Sequence, residues 1–271
     1  MLMTRIKTAA VLLVLVVLVL FVLPGWTWIV FASLVAALGF WEWLRMTASP
    51  YLPPVARMIC ALLLGNALAA VALVAPVAIM AWLSGISLIL AAAFWLLLVP
   101  LWLVKRWTLR NPFLHFLVGL ILLVPAWCAL VSMKSLPPEP WVLLATMAVP
   151  WIADIGAYFS GKQFGKRKLA PAISPGKTWE GVAGAAVCMI IYAVALNQVG
   201  GVFSALSLPV LMLLLVLSVA GDLFESLMKR QAGIKDSSQL LPGHGGVLDR
   251  IDSQLSVLPV ALLMIIVAVA G

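Results

Sequence analysis

The chain of 271 residues is 65% hydrophobic and 10% charged, with a mean hydropathy of +1.19. Soluble domains are about half apolar and a quarter charged, so this composition excludes an ordinary soluble enzyme and makes lipid the principal solvent. The net charge of +8 falls between apolar runs, which points to membrane topology and phosphate binding and away from nucleic acid.

A helical span needs about 20 apolar residues, and runs of that kind occupy 8–23, 26–45, 57–83, 86–104, 111–133, 140–160, 178–197, 205–228 and 251–270. They predict an all-α, polytopic membrane bundle of about nine transmembrane helices. The first run follows Arg5 and Lys7 and lacks a small-residue cleavage site, so it is expected to be a retained helix and not a signal peptide. Pro24-Gly25 and Ser84-Gly85 read as tight turns between antiparallel helices. Pro76 makes the third run either one kinked helix or two shorter pieces. Cys60, Cys128 and Cys188 are scattered through apolar runs with no disulfide or metal spacing.

Lys and Arg concentrate in cytoplasmic loops. With the N-terminus cytoplasmic, every basic residue except Lys134 falls on the cytoplasmic side, and an odd miscount in mid-chain would destroy that agreement. Acids divide the chain: residues 1–135 have Glu42 as their one acid, whereas Asp154, Glu180, Asp222, Glu225, Asp249 and Asp252 lie in or beside later apolar runs. A carboxylate at the bilayer centre costs about 2.5–3.5 kcal/mol on insertion scales, so such a set implies a polar cavity, a cation or basic partners. Residues 1–135 are therefore expected to be scaffold, and 136–271 the catalytic region, with cytoplasmic loops 161–177 and 229–250.

Residues 226–252 read SLMKRQAGIKDSSQLLPGHGGVLDRID. On the helix leading in, Asp222, Glu225, Ser226 and Lys229 share one face by their spacing. Lys229, Arg230 and Lys235 supply charge, and Gly243, Gly245 and Gly246 around His244 let backbone approach a ligand. Asp249 and Asp252 open the last helix on one face. Two carboxylates from different helices suit Mg²⁺, which is typically held by one or two carboxylates plus substrate phosphates. Asp222 and Asp249 are the expected pair, with metal-assisted phosphoryl or nucleotidyl transfer as the chemistry. The bland reading is that these acids and bases merely pair with one another.

A second cluster, residues 154–181, carries Asp154 and Tyr158, then Gly161 and Gly165 interleaved with Lys162, Lys166, Arg167 and Lys168. Ser174-Pro175-Gly176-Lys177-Thr178 leads into the seventh helix ahead of Glu180, where free amides and the helix dipole favour an anion. A purely topogenic basic loop explains it equally well. Elsewhere, Glu42 and Arg45 read as a local ion pair and His115 as a packing residue. Trp26, Trp28, Trp41, Trp43 and Trp141 read as an interfacial belt, and Lys105, Arg106 and Arg110 as topogenic.

The run from Ser226 to Asp252 resembles the signature of the phosphatidate cytidylyltransferase, or CDP-diacylglycerol synthase, family. Ser226, Lys229-Arg230, Lys235-Asp236, Ser238, His244-Gly245-Gly246, Asp249-Arg250 and Asp252 stand at the fixed positions. SPGKTWEG at 174–181 resembles the family's other polar region. The resemblance implies transfer of CMP from CTP to phosphatidic acid with release of pyrophosphate. It also implies an Mg²⁺ requirement, with room for a second cation, and a homodimer in a bacterial-type inner membrane with its site facing the cytoplasm. On that basis Asp222, Asp249, Lys229, Arg230 and His244 are expected to be catalytic. Lys162, Lys166, Ser174, Lys177, Thr178, Ser226, Lys235, Asp236, Gly245, Gly246 and Arg250 are expected to bind substrate, with Asp154, Glu180, Glu225 and Asp252 as further candidates.

The lipid phosphate is already largely ionised near neutral pH, by analogy with the second pKa of about 6 of phosphoserine. The reaction therefore needs charge neutralisation and in-line positioning more than a base. A CTP-dependent kinase of a lipid alcohol, polyprenol or phytol in type, is the nearest alternative and needs a base for the hydroxyl. A transporter is a different class, disfavoured because the charges gather at cytoplasmic helix ends and no inverted repeat is visible.

Overall fold

A computed structural model describes residues 2–270, including the side chains of 7, 8 and 10–269; the side chain of Arg5, assigned a topogenic role above, lies outside the described residues. Nine helices form the described bundle. They are α1 (Leu2–Val17, extended by a π-helical turn Leu18–Val22), α2 (Gly25–Thr47), α3 (Pro54–Val74), α4 (Val77–Lys105, with a π-helical turn Phe94–Leu98) and α5 (Pro112–Lys134). After these come α6 (Trp141–Phe164), α7 (Trp179–Val199), α8 (Leu208–Gln231) and α9 (Leu248–Ala270). Helices α2 to α9 are long and apolar enough to cross a membrane, and the apolar part of α1, Ala10–Val22, is shorter. Between α6 and α7 lies an antiparallel hairpin of β1 (Lys168–Ala170) and β2 (Ser174–Thr178), in a register pairing Lys168 with Thr178 and Ala170 with Ser174.

The turn at Pro24-Gly25 forms as expected, with α2 starting at Gly25. The turn expected at Ser84-Gly85 does not: α4 runs straight through both residues, and the break lies at Ala75-Pro76. Proline disfavours helical backbone at the residue before it, and Ala75 is extended at φ −72°, ψ 149°. Gly85 costs little by contrast, because a helix in lipid keeps every backbone hydrogen bond within itself. The third and fourth spans therefore exchange residues while the number of crossings, and so the charge argument, is preserved.

The tryptophan belt needs correction. Trp26 and Trp141 are exposed at helix starts, but Trp28 and Trp43 are 2% and 1% exposed and lie in the core. Their indole N–H groups donate to Leu130 O at 3.0 Å and His115 O at 2.7 Å, which removes the cost of burying them. These two tryptophans do not join an aromatic girdle because α2 crosses the middle of the bundle, packing on α3, α5 and α9. His115 is buried, and its Nε2 lies 3.2 Å from Leu109 O.

Helices α6 and α7 pack most intimately. A Cβ added at Gly184 would lie 1.8 Å from Ser160 Oγ, and one at Gly156 2.8 Å from Cys188 Sγ. Small residues let helices approach closely in lipid, where water provides no driving force. Helices α8 and α9 are joined similarly, with Ser253 Oγ donating to Ser218 O at 3.1 Å and Ser256 Oγ to Leu217 O at 2.8 Å. Loops from distant parts of the chain meet at one end of the bundle: Arg45 Nη1 donates to Ser237 O at 3.4 Å, Gln231 Nε2 to Trp107 O at 2.9 Å, and Thr8 Oγ1 to Pro242 O at 3.0 Å.

Candidate active site

Helix α8 carries the site because its other side is anchored. Phe224 sits in a nest of Trp43, Phe94, Trp95 and Trp102, with ring centroids 5.3 to 6.3 Å away. Two residues earlier on a helix is about 200° around the axis, so the nest turns Asp222 away from the aromatic core. Ser226 Oγ then donates to Asp222 Oδ1 at 3.2 Å, one turn along.

Two lysines knit this face to its neighbours. Lys177, from β2, reaches Asp222 Oδ2 at 2.6 Å. Lys229 bridges Glu225 Oε2 at 2.5 Å and Asp249 Oδ1 at 2.7 Å, joining α8 to α9. Around these pairs, Asp154 and Asp252 both lie within electrostatic reach of Asp222 and Lys177, and Arg250 acts on Asp154. About 15 Å of helix separates Asp154 from the end of α6 at 1.5 Å per residue, so the cluster sits at membrane depth. Charges at that depth persist only when paired or facing a polar cavity.

Asp249 is also the anchor of the loop before α9. Its Oδ2 accepts from Ser237 N at 2.9 Å and Gly246 N at 2.8 Å, and lies 3.0 Å from Ser237 Oγ. Glycine is required here: Gly245 adopts φ +86°, and a Cβ on Gly246 would fall 2.0 Å from Ser237 Oγ. The turn is closed by Leu241 N donating to Gly245 O at 2.9 Å, and His244 within it has a buried Nδ1 with no hydrogen-bond partner.

Glu42 overturns an expectation. Its carboxylate is fully buried and does not pair with Arg45, whose guanidinium lies over the Trp41 ring at 5.7 Å. Instead Glu42 Oε1 accepts from Ser238 Oγ at 2.5 Å and Val247 N at 3.0 Å, and Oε2 from Leu248 N at 2.6 Å. Ser237 Oγ stands 3.0 Å from both Glu42 Oε2 and Asp249 Oδ2, with one proton to give. Glu42 thus caps the N-terminus of α9, where negative charge is favoured and unpaired amides need acceptors. The residue that holds the site loop in place comes from the half of the chain expected to be scaffold.

The second cluster is more ordered than a flexible basic loop. Thr178 Oγ1 caps α7 by accepting from Gly181 N at 3.1 Å. Glu180 accepts from Lys166 N at 3.1 Å and Arg167 N at 3.2 Å, and so clips the chain ahead of the hairpin. Arg230 Nε reaches Ile173 O at 3.5 Å, bringing the hairpin against the end of α8. Lys177 is the residue of this cluster delivered to the carboxylates. Lys162 lies over Tyr158 at 5.7 Å, while Lys166, Lys235 and Asp236 are exposed around the rim and Ser174 is half-buried in β2.

The donor chemistry fits Mg²⁺, since every acidic group is a hard oxygen ligand. Asp222, with its side chain 30% exposed, is the more open of the expected pair, and Asp249, at 5%, is the more engaged. Among the described residues no three His, Cys, Asp or Glu side chains converge as a ready-made cation cage.

Comparison with known proteins gives a consistent result. A sequence model of the cytidylyltransferase family matches residues 3–268. The phosphatidate cytidylyltransferase of Pseudomonas aeruginosa is 44% identical over 270 residues, covering 96% of this chain and 95% of the relative. That of Haemophilus influenzae is 35% identical over 292 aligned positions, covering 96% of each. That of Bacillus subtilis is 50% identical over 117 residues, 41% of this chain and 42% of the relative.

Proposed function

The chain belongs to the cytidylyltransferase family, and from that premise we propose that it transfers CMP from CTP to phosphatidic acid, leaving CDP-diacylglycerol in the membrane for phospholipid synthesis. The observation that carries the reading is the double junction of Lys177 with Asp222 and Lys229 with Asp249 at membrane depth. One substrate is a lipid anion and the other a soluble polyanion, and a charged cluster reachable from both the bilayer and one end of the bundle suits their meeting.

The lipid phosphate oxygen attacks the α-phosphorus of CTP, the bond from that phosphorus to the bridging oxygen of the β-phosphate breaks, and pyrophosphate leaves. The nucleophile is already anionic, so no side chain has to remove a proton. Lys177, Lys229 and Arg250 neutralise the two phosphates and align them. Asp222 and Asp249 are the residues that would hold Mg²⁺, which supplies further charge neutralisation when bound. On substrate binding the two lysines exchange carboxylate partners for phosphate oxygens, so the ion pairs described above keep the lysine charges partnered until substrate arrives. Arg230, Lys235, Lys162, Lys166, Ser174 and Thr178 border the triphosphate, with the backbone at Gly245 and Gly246 and the side chains of His244, Ser226 and Asp236 shaping its approach. The distribution of basic residues supports a site facing the cytoplasm in a bacterial-type inner membrane, and the family resemblance supports a homodimer.

Purified protein in detergent with CTP, phosphatidic acid and Mg²⁺ should form CDP-diacylglycerol by mass spectrometry and release one pyrophosphate per lipid converted. Release of CDP in place of pyrophosphate would contradict the reading.

A further inference from the structure

A groove of about 470 Å³ opens on the apolar surface of the bundle, with Arg250, the neighbour of Asp249, in its lining. Its walls are Leu12 and Val16 of α1, Val35 of α2, Trp151 of α6 and Leu258 of α9, and its rim includes Leu13 and Leu34, which are 65% and 54% exposed. Only one end of it is polar. Arg250 lines it there, one residue from Asp249 and within electrostatic reach of Asp154. Gln254 lines it one turn further along α9; it is 5% exposed, donates from Nε2 to Met147 O at 2.9 Å, and has an Oε1 without a hydrogen-bond partner. The volume is of the order that seats a small-molecule ligand.

The charge arrangement selects the occupant. A neutral lipid filling a gap between helices has no use for an exposed guanidinium at one end of the groove, whereas a lipid whose headgroup is a bare phosphate does. Among the described residues Arg250 forms no ion pair within 4 Å, so its charge is available. We propose that this groove seats an acyl chain of the lipid phosphate substrate, with Arg250 meeting the phosphate where the groove joins the Lys177–Asp222 and Lys229–Asp249 pairs. The inference rests on the cytidylyl-transfer reading and adds that α1, tied to the site loop by Thr8 Oγ1 donating to Pro242 O, is a wall of the substrate site and sets acyl-chain preference.

The test compares dioleoyl with dihexanoyl phosphatidic acid in mixed micelles, using wild type and Val35→Trp, which fills the groove far from the charges. The variant should raise the KM for the dioleoyl lipid about tenfold, the scale of misfit in an apolar pocket, with the KM and kcat for the dihexanoyl lipid unchanged. Leu13→Trp at the rim serves if Val35→Trp does not fold. Equal changes for both lipids, or no change for either, would overturn the proposal. Independently, a phosphatidic acid with a diazirine in its acyl chain should label peptides of α1 and α9, and excess dioleoyl phosphatidic acid should suppress the labelling where phosphatidylcholine does not. Labelling spread around the bundle, or suppressed equally by both lipids, would overturn the assignment. If labelling concentrates in the groove while no CDP-lipid forms, the groove stands and the activity reading falls.

Discussion

Asp249 has both carboxylate oxygens engaged, one by Lys229 and the other by the loop amides of Ser237 and Gly246. Asp222 has one oxygen on Lys177 and the other on Ser226. Replacing either acid by Asn keeps the shape and removes the charge. Each change should lower turnover at least about a hundredfold, the scale of losing one electrostatic group at a transition state, while the protein stays monodisperse in detergent. Near-normal turnover in both variants would remove the proposed metal pair. Lys177→Ala should act mainly on KM, raising it for CTP or the lipid about tenfold for roughly 1.4 kcal/mol of lost phosphate contact; unchanged dependence on both would return the hairpin to a topogenic role. Glu42 makes a different prediction, since its partners are the loop and the first residue of α9. Glu42→Ala leaves buried donors at Ser238, Val247 and Leu248 without their acceptor, at about 1–3 kcal/mol for each such group. Thermal unfolding in detergent should show a clear fall in Tm together with lost activity, and an unchanged Tm would contradict the anchoring role.

At the scale of elements, α6 and α7 carry the hairpin that delivers Lys177, and their close approach depends on Gly184 against Ser160. Gly184→Val should separate them, lowering Tm and turnover, whereas Gly176→Ala, in open space on the hairpin itself, should behave as wild type; equal effects of the two would refute the packing argument. Much of this arrangement was readable from residue order. Helix faces follow from spacing, so Asp222, Ser226 and Lys229 could be placed together before any coordinates, and hydropathy located the spans. The sequence points to Ser84-Gly85 as well as Pro76 because Gly and Pro look alike as interruptions, while only Pro removes a donor and restricts its predecessor, and the chain breaks at Pro76. Glu42 is not legible for a different reason: Arg45 stands at helical spacing and offers a local partner, and nothing nearby signals that the true partners lie near residue 240. The hairpin at 168–178 leaves no sequence signal because its strands are too short to show alternation.

At the scale of the molecule, the bundle gathers Thr8, Arg45, Trp107, Ile173, Arg230, Gln231 and Pro242 at one end. By the positive-inside rule, the basic residues support the proposal that this end faces the cytoplasm. With the native cysteines replaced, Glu139→Cys should react with an impermeant maleimide on intact cells and Lys235→Cys only after permeabilisation; the reverse pattern would invert the topology and put the site on the wrong side for CTP. The division into scaffold and working halves becomes less sharp, since α2 supplies Glu42 and α1 walls the groove. The most direct test of cytidylyl transfer uses CTP labelled at one phosphorus at a time, with phosphatidic acid as acceptor. Label at the α-phosphorus should enter the lipid in proportion to pyrophosphate released, and label at the γ-phosphorus should stay in the aqueous phase. Entry of γ-label into lipid, with α-label left behind in CDP, would contradict the account.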